Sequence, residues 1–173
     1  DGSTITLLDD VVDSYGVDIS DDRELILDMA GHTITYGAQV EGYTVIFDLS
    51  GNVKLTIQGN GSFTFNDDYL NDKDPIGYIF RLGGNSTITI NDGEYLCGLT
   101  CIQLDSNSKA TINGGKFSAY GTWGDRYWIL NLIDGCDGIF EVKGGTFVNY
   151  DPSNSETENP TDNIVAEGYE AIS

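Results

Sequence analysis

The sequence predicts an all-β protein, a right-handed single-stranded parallel β-helix of about five coils. A strand-turn-strand motif occurs five times, apolar residues recur in fixed columns, and no window shows the periodicity of an amphipathic helix. The 22 glycines would also interrupt the helices of a helical solenoid. The five copies of the motif are LDMAGHTITY, LTIQGNGSFTF, ITINDGEYLC, ATINGGKFSA and VKGGTFVNY.

Three columns of apolar residues run through these copies. The column before the turn consists of Met29, Ile57, Ile90, Ile112 and Val142. The column after the turn consists of Ile34, Phe63, Tyr95, Phe117 and Phe147. The third column lies upstream of each turn and consists of Ile19, Leu49, Leu82, Leu104 and Leu132. Because successive side chains of a strand point to opposite faces, we expect each column to stack inward, coil upon coil.

The links between the columns differ in how much their length varies. The third column precedes the first by 8 or 10 residues in every copy, whereas the link from the second column to the next third-column residue takes 9 to 19 residues. Insertions therefore collect at one corner of the coil. A unit of short strands whose shortest repeat is 22 residues is typical of a β-helix coil. The variable corner is where we expect binding, since loops on a rigid scaffold carry it.

The glycine pair Gly144-Gly145 does not predict a phosphate-binding loop. A phosphate loop needs a helix after the glycines, but the residues from Thr146 to Tyr150 are typical of a strand and Pro152 follows them. We expect the glycines to supply backbone angles at a corner that residues with a Cβ adopt only at a cost.

The chain is strongly acidic, with 28 acidic and 8 basic residues and a formal charge of -20. This field disfavours nucleic acid and anionic membranes as partners, and no apolar run is long enough to span a bilayer. A solvated acidic surface is one interpretation. Calcium, which binds clustered carboxylates, is the other, although the acidic cluster lacks the spacing of a known calcium loop. The candidate calcium ligands are Asp67, Asp68, Asp72 and Asp74.

Three cysteines cannot form a complete set of disulfides, because one is always left over. Cys97 and Cys101 are close enough in sequence to meet across a short turn, but we expect free, partly buried thiols. Cys136 is predicted to lie apart from Cys101. No CxxC or Cys/His spacing predicts a zinc site.

The sequence predicts no enzyme, and we identify no catalytic residue. The single histidine, His32, lies in the first turn, in a slot that Lys116 and Thr146 fill in later copies, and no GxSxG elbow accompanies it. Paired carboxylates catalyse glycoside hydrolysis, which makes a polysaccharide hydrolase or lyase a third hypothesis, by analogy of fold alone. The acidic doublets fall in different coils and corners: Asp9-Asp10, Asp21-Asp22 and Asp67-Asp68.

Aromatic residues are concentrated at the variable corner, where their faces, next to carboxylates and amides, suit the apolar faces and hydroxyls of sugars. Trp123, between glycines in YGTWGDRY, is the best candidate for an exposed platform. The alternative is that these rings fold back and cover the core. The candidate ligand-binding residues are Trp123, Tyr127, Tyr120, Tyr69 and Tyr150.

The segments TITLLDDV, LDMAGHTIT and GGTFVNYDPSN, followed by DNIVAEGYEAIS, resemble β-helical proteins of bacteriophage virions and of gut-bacterial surfaces. The resemblance covers nearly the whole chain. It implies that the opening segment starts the β-helix, that the VAEGY-type segment ends it, and that the role is structural or attachment rather than enzymatic. Met29 and Ala30 replace the Leu and Asn of the more usual LDLNGHTI, while the turn glycine Gly31 is in place.

We therefore expect a virion structural protein, such as a capsid decoration, head fibre or tail fibre module, on the virion surface. A bacterial cell-surface or extracellular adhesin is the alternative. Residues 1–173 are expected to form a single β-helix domain within a longer chain or assembly. Strand-like sequence close to both ends predicts open coil edges that need covering, and hence a homo-oligomer, in particular a trimer, with other virion or surface proteins and a host glycan as further partners.

Overall fold

The computed structural model describes residues 2–13, 15–37, 44–67, 77–122, 124–155, 157–159 and 163–172. These residues form β-strands and one short 3-10 helix, Pro152–Asn154, and none of their helical segments has the length and apolarity to span a bilayer. The strands are β1 (Ser3–Thr6), β2 (Val11–Asp13), β3 (Val17–Ile19), β4 (Glu24–Asp28), β5 (Thr33–Tyr36), β6 (Thr44–Leu49), β7 (Lys54–Gln58), β8 (Ser62–Phe65), β9 (Gly77–Leu82), β10 (Thr87–Ile90), β11 (Glu94–Cys97), β12 (Thr100–Leu104), β13 (Lys109–Ile112), β14 (Lys116–Ala119), β15 (Leu130–Leu132), β16 (Ile139–Val142) and β17 (Thr146–Phe147).

Every third strand pairs, which makes the chain a parallel β-helix and confirms the predicted fold class. The first sheet has the order β1-β4-β7-β10-β13-β16, and the second contains β2, β5, β8, β11, β14 and β17 in that spatial sequence. The third sheet contains β3, β6, β9, β12 and β15. Each coil therefore gives one strand to each sheet, and the described strands make five coils and begin a sixth.

Two of the three predicted columns are confirmed residue by residue. In the third sheet Ile19 pairs with Leu49, and the register continues through Leu82 and Leu104 to Leu132. In the second sheet the column from Ile34 to Phe147 is also in register, and Val11 of the first coil extends it. The alternation of apolar and polar residues thus predicts which side chains face the interior.

The column before the turn is wrong in the first motif. Leu27, not Met29, pairs with Ile57, and the rest of the column follows in register. In the last three copies the column residue lies five positions before the second column, a distance that selects Met29 in the first copy, whereas Leu27 lies seven positions before Ile34. The turn between β4 and β5 contributes one of these extra residues, since it is one residue longer than the turn between β7 and β8. Met29 instead lies in that turn with its side chain buried.

A stack of aromatic rings, which we call the aromatic ladder, runs through the second sheet from Phe63 through Tyr95 and Phe117 to Phe147. Neighbouring ring centroids are 5.4, 4.7 and 5.0 Å apart, with interplanar angles of 11°, 8° and 11°. The first three rings are almost fully buried, whereas Phe147 is half-buried. Each stacked pair stabilises the fold by about 0.5–1.5 kcal/mol beyond the burial of its apolar area.

The two glycines of the last motif have different roles. Gly145 has φ of +113°, the backbone conformation that the sequence predicts for this corner. Gly144 does not, but a Cβ on it would lie 2.5 Å from the backbone oxygen of Asn113 in the preceding coil. Gly144 is therefore required by the close stacking of two coils, and Gly145 by its angles.

The two ends of the β-helix differ. In the first coil the inward-facing Ile5, Val11 and Val17 are 52%, 37% and 38% exposed, so the apolar interior reaches the surface there. At the other end the segment after the 3-10 helix covers much of the last coil. Val165 forms a parallel bridge to Val142, which extends the first sheet beyond β16.

Candidate functional site

The residues that follow β17 line two adjoining indentations of the surface at the last coil. Asn149 turns the chain with φ of +57°, a conformation that asparagine tolerates better than most residues. Asp151 then caps the 3-10 helix: its carboxylate accepts hydrogen bonds from the backbone N–H and the hydroxyl of Ser153, at 2.9 and 2.7 Å. These bonds hold the pKa of the Asp151 carboxyl below its usual range. Tyr150, between these two turns, is thereby placed against the last coil.

Tyr150 is held by its ring and by its hydroxyl. The ring lies 6.0 Å from Phe147, tilted by 45°, and so continues the aromatic ladder around the end of the last coil. Its hydroxyl donates a hydrogen bond of 3.1 Å to the carbonyl of Leu130 in β15. Burial raises the pKa of this phenol, which keeps it a neutral donor. The ring is fixed in place before any ligand arrives.

Tyr150 and Tyr127 line a small cleft of about 220 Å³, which we call the tyrosine cleft. Both side chains are half-buried and pack against the core, so the expectation that these rings cover the core holds for their inner faces. The remaining lining is polar or charged: Asp125, Arg126, Asn149, Asp151 and Asn154. Aromatic surface beside carboxylate, amide and guanidinium groups can stack on a sugar ring and bond its hydroxyls.

A larger groove of about 700 Å³, the terminal groove, adjoins this cleft and shares Asn149, Tyr150 and Asp151 with it. It lies over the outer edge of β17, which pairs with β14 on one side and with no other described strand. The C-terminal segment forms its far wall. An unpaired strand edge flanked by apolar side chains can accept an extended peptide.

The first and third sheets are covered at this end of the β-helix, whereas the terminal groove lies over the edge of the second sheet. The first sheet is extended by Val165, as described above. The third sheet is covered by side chains: buried Asn131 of β15 donates to Glu158 at 2.9 Å and accepts from its backbone N–H at 3.0 Å. Asn159 donates to the carbonyl of Ile133 at 3.0 Å. At the last coil, therefore, the second sheet is the one whose edge the described residues leave uncovered.

The structure brings together only part of the predicted ligand-binding set. Tyr127 and Tyr150 share the tyrosine cleft, whereas Tyr120 is 51% exposed and does not line it. Trp123 and Tyr69 lie outside the described residues, so the role predicted for them stays a prediction.

The predicted calcium site lies mostly outside the described residues. Asp67 is exposed at the beginning of the long insertion, and Asp68, Asp72 and Asp74 fall in the part that the structure does not describe. Within the described ranges no three His, Cys, Asp or Glu side chains are grouped closely enough to hold a metal ion. Calcium binding stays a prediction.

The single histidine lies on the surface of the first two coils. His32 Nδ1 is 3.4 Å from Asp10 Oδ1, and the same carboxylate oxygen accepts a 2.8 Å hydrogen bond from the backbone N–H of Thr33. This contact ties the loop after β1 to the beginning of β5. It needs no catalytic role to account for it.

Sequence reasoning singled out Tyr150, which lines both indentations, but did not predict the terminal groove. Phe147 was recognised as a core residue, yet no pattern indicates that the last ring of the column is exposed at a coil end. Glu158 and Asn159 lie outside the five copies of the motif, so the repeat could not predict their hydrogen bonds to the last coil.

Comparisons with known proteins add no relative. No family model matches this chain, and neither the curated proteins nor the solved structures contain a match.

Proposed function

We propose that this chain is a non-enzymatic structural protein of a virion surface, a capsid decoration or a module of a head or tail fibre, with an attachment role. The observation that carries the proposal is the first coil, where the apolar interior of an otherwise closely packed β-helix is exposed. Such a face is suited to a permanent contact, with another subunit or with a further segment of the chain, rather than to a reaction with a small substrate. The net charge of -20 favours solubility.

The first coil also exposes apolar side chains that lie outside the inward columns. Leu8, Val12 and Tyr15 are 89%, 73% and 93% exposed. Together with Ile5 and Val11 they form what we call the first-coil surface. Exposed apolar side chains concentrated in one coil in this way are suited to association with another surface.

A homo-oligomer would cover the first-coil surface in each copy at once. We propose a closed cyclic assembly, because a closed ring leaves no subunit with a free interface, and specifically a trimer, the form common among fibre proteins. Other virion proteins would then bind the ends of the assembled rods.

Attachment would use the tyrosine cleft at the opposite end of the rod. The fixed ring of Tyr150, the face of Tyr127 and the side chain of Asp125 offer stacking and hydrogen bonding to a host glycan. The net charge of -20 favours neutral over anionic glycans.

The oligomeric state tests the structural part of the proposal. Size-exclusion chromatography with multi-angle light scattering on the native full-length product should give a trimer, and Val12→Asp should dissociate it to monomers with an unchanged circular dichroism spectrum. Ile139→Asp is the matched control, since Ile139 is also an exposed strand residue, 55% accessible, but belongs to the last coil. A wild-type protein that stays monomeric at micromolar concentration would refute the assembly.

Location distinguishes a virion protein from the second candidate, a bacterial surface adhesin, which the same exposed surface would suit. Antibodies raised against the chain, with gold detection, should label particles released from the native host and leave the cell envelope unlabelled. The reverse pattern would favour the adhesin. Release of reducing ends or unsaturated products from polygalacturonate, alginate or host capsule would favour the polysaccharide-active enzyme instead.

Glycan binding is tested separately. Tyr127→Ala should weaken binding of the full-length protein to a host-surface polysaccharide by at least tenfold in calorimetry, because the ring is a wall of the cleft. Tyr120→Ala, which removes an exposed ring outside the cleft, is the control and should bind as the wild type does. Equal losses in both variants would contradict a site in the tyrosine cleft.

A further inference from the structure

Cys97 and Cys101 face each other at the tightest corner of the β-helix. Only Gly98 and Leu99 separate β11 from β12, whereas the corresponding link between β8 and β9 spans residues 66–76. Cys97 ends β11 and Cys101 is the second residue of β12, and both side chains are fully buried. The two thiols thus meet inside the coil whose link at this corner is the shortest.

The two sulfur atoms are closer than nonbonded atoms normally approach. Their separation is 2.9 Å, whereas carbon atoms, which are smaller, are most stable at about 3.5–4.0 Å. A covalent S–S bond is about 2.05 Å long, so its formation requires a shift of a little under about 1 Å. Rotation of the two cysteine side chains can supply a shift of this size.

The preceding coil carries larger side chains at the corresponding places, whereas in the following coil Ala119 pairs with Cys97. In the third sheet, Ile79 of β9 occupies the place that corresponds to Cys101. In the second sheet, Phe65 at the end of β8 occupies the place that corresponds to Cys97. Both are buried. In the coil of Cys97 and Cys101, two small sulfur side chains stand where the preceding coil has a large ring and a branched aliphatic chain. The short corner therefore brings the cysteines together in a space that they fill jointly.

We propose that Cys97 and Cys101 form an intrachain disulfide, a modification site whose reaction partner is a small disulfide such as oxidised glutathione. A thiolate of one cysteine attacks a glutathione sulfur, breaks the S–S bond and releases one glutathione thiolate. The thiolate of the second cysteine then attacks the protein sulfur of the mixed disulfide and releases the second glutathione. The protein loses two electrons and two protons, and one glutathione disulfide is reduced to two thiols.

Burial determines when this reaction occurs. Neither sulfur is accessible in the folded chain, and burial beside the second thiol holds the pKa of Cys97 well above its ordinary value, which suppresses the reactive thiolate. Exchange is therefore expected while the corner is still open during folding. Once formed, the bond is shielded from reductants, so it acts as a permanent crosslink.

Refolding in a glutathione buffer tests the proposal on the full-length chain. Protein unfolded with reductant is desalted, refolded with oxidised and reduced glutathione, then denatured and treated with iodoacetamide before intact-mass measurement and peptide mapping. We expect one alkylated cysteine, Cys136, and a peptide in which Cys97 is linked to Cys101. Cys136→Ser should leave no alkylated cysteine.

Three alkylated cysteines after refolding, or a crosslink that includes Cys136, would overturn the proposal. Stability gives an independent measurement on the same sequence. The crosslinked wild type should melt roughly 4–8 °C higher than wild type refolded in reductant, the rise expected for a short closed loop in a chain of this size. The double variant Cys97→Ser, Cys101→Ser should melt at the same temperature with and without reductant. A crosslinked protein that melts no higher than the reduced one would show that the bond does not fit the native corner.

Discussion

Replacing Phe117 with alanine removes the third ring of the aromatic ladder. This ring is fully buried and stacks on both sides, 4.7 Å from Tyr95 and 5.0 Å from Phe147. Its loss leaves a gap between two coils rather than at the surface. The coils cannot close that gap freely, because the backbone pairs of β14 with β11 and β17 fix their spacing.

The expected cost follows from these contacts. Truncation of a buried phenylalanine to alanine destabilises proteins by about 3–5 kcal/mol. Two lost ring pairs account for about 1–3 kcal/mol of that sum. Phe117→Leu keeps most of the apolar volume but neither stack, so we expect a loss of about 1–3 kcal/mol. Phe147→Ala removes a half-buried ring that is stacked on one neighbour, Phe117. It should destabilise the protein about half as much as Phe117→Ala.

Equilibrium unfolding in urea measures these differences. Circular dichroism and tyrosine fluorescence should be followed together, because coils of a solenoid can unfold separately and only coincident transitions justify a single free energy. The urea dependence of that free energy should be the same in all variants. The order of stability loss should be Phe117→Ala, then Phe147→Ala and Phe117→Leu, with the wild type as reference.

An equal or smaller loss for Phe117→Ala than for Phe147→Ala would refute the reasoning. It would mean that the ladder stabilises the fold chiefly at its exposed end, or that the coils collapse onto the gap. A loss below about 1 kcal/mol for Phe117→Ala would exclude a cavity of ring size.

Gly144→Ala should lower the free energy of unfolding by about 1–3 kcal/mol, because its Cβ would press on the preceding coil, whereas Gly83→Ala, with no atom near its Cβ, should change it by less than about 0.5 kcal/mol; equal effects in thermal melts would contradict this. The pKa of Asp151 is lowered by Ser153, so the stability from this cap is present above the unfolded pKa of about 4 and is lost as pH falls through the lower folded value. Asp151→Asn should reduce the fall of Tm at acidic pH. An unchanged dependence of Tm on acidic pH would show that this cap does not contribute to stability. Trp123→Ala should weaken glycan attachment with nearly unchanged Tm, and a loss of several kcal/mol would make this ring a core cover.

The spacing of apolar residues predicts most of the fold because register in a parallel sheet depends on which face is buried. The column from Ile19 to Leu132 could be identified for this reason, since a slip by one residue would turn every member outward. Met29 was misassigned because turn length is not fixed by burial. Both Leu27 and Met29 are apolar and buried, and only the backbone pairing distinguishes them.

The candidate site was predictable in composition and not in position. Tyr127 and Tyr150 are separated by more than a strand and a turn, and they meet because Tyr150 folds back onto the carbonyl of Leu130. No repeat encodes that bond. Glu158 likewise covers the third sheet through a hydrogen bond from the buried side-chain amide of Asn131. The pattern of apolar residues does not predict such a bond.

Insertions have different consequences inside a strand and at the variable corner. An insertion inside β13 would shift inward residues to the outer face and disrupt the stacking of every coil after it. An insertion at residues 98–99 only has to leave the ends of β11 and β12 where they are, as the link at 66–76 already does. Foreign peptides could therefore be grafted at the variable corner of successive coils. The spacing between two grafted peptides would be set by the number of coils between them, at about 4.8 Å per coil.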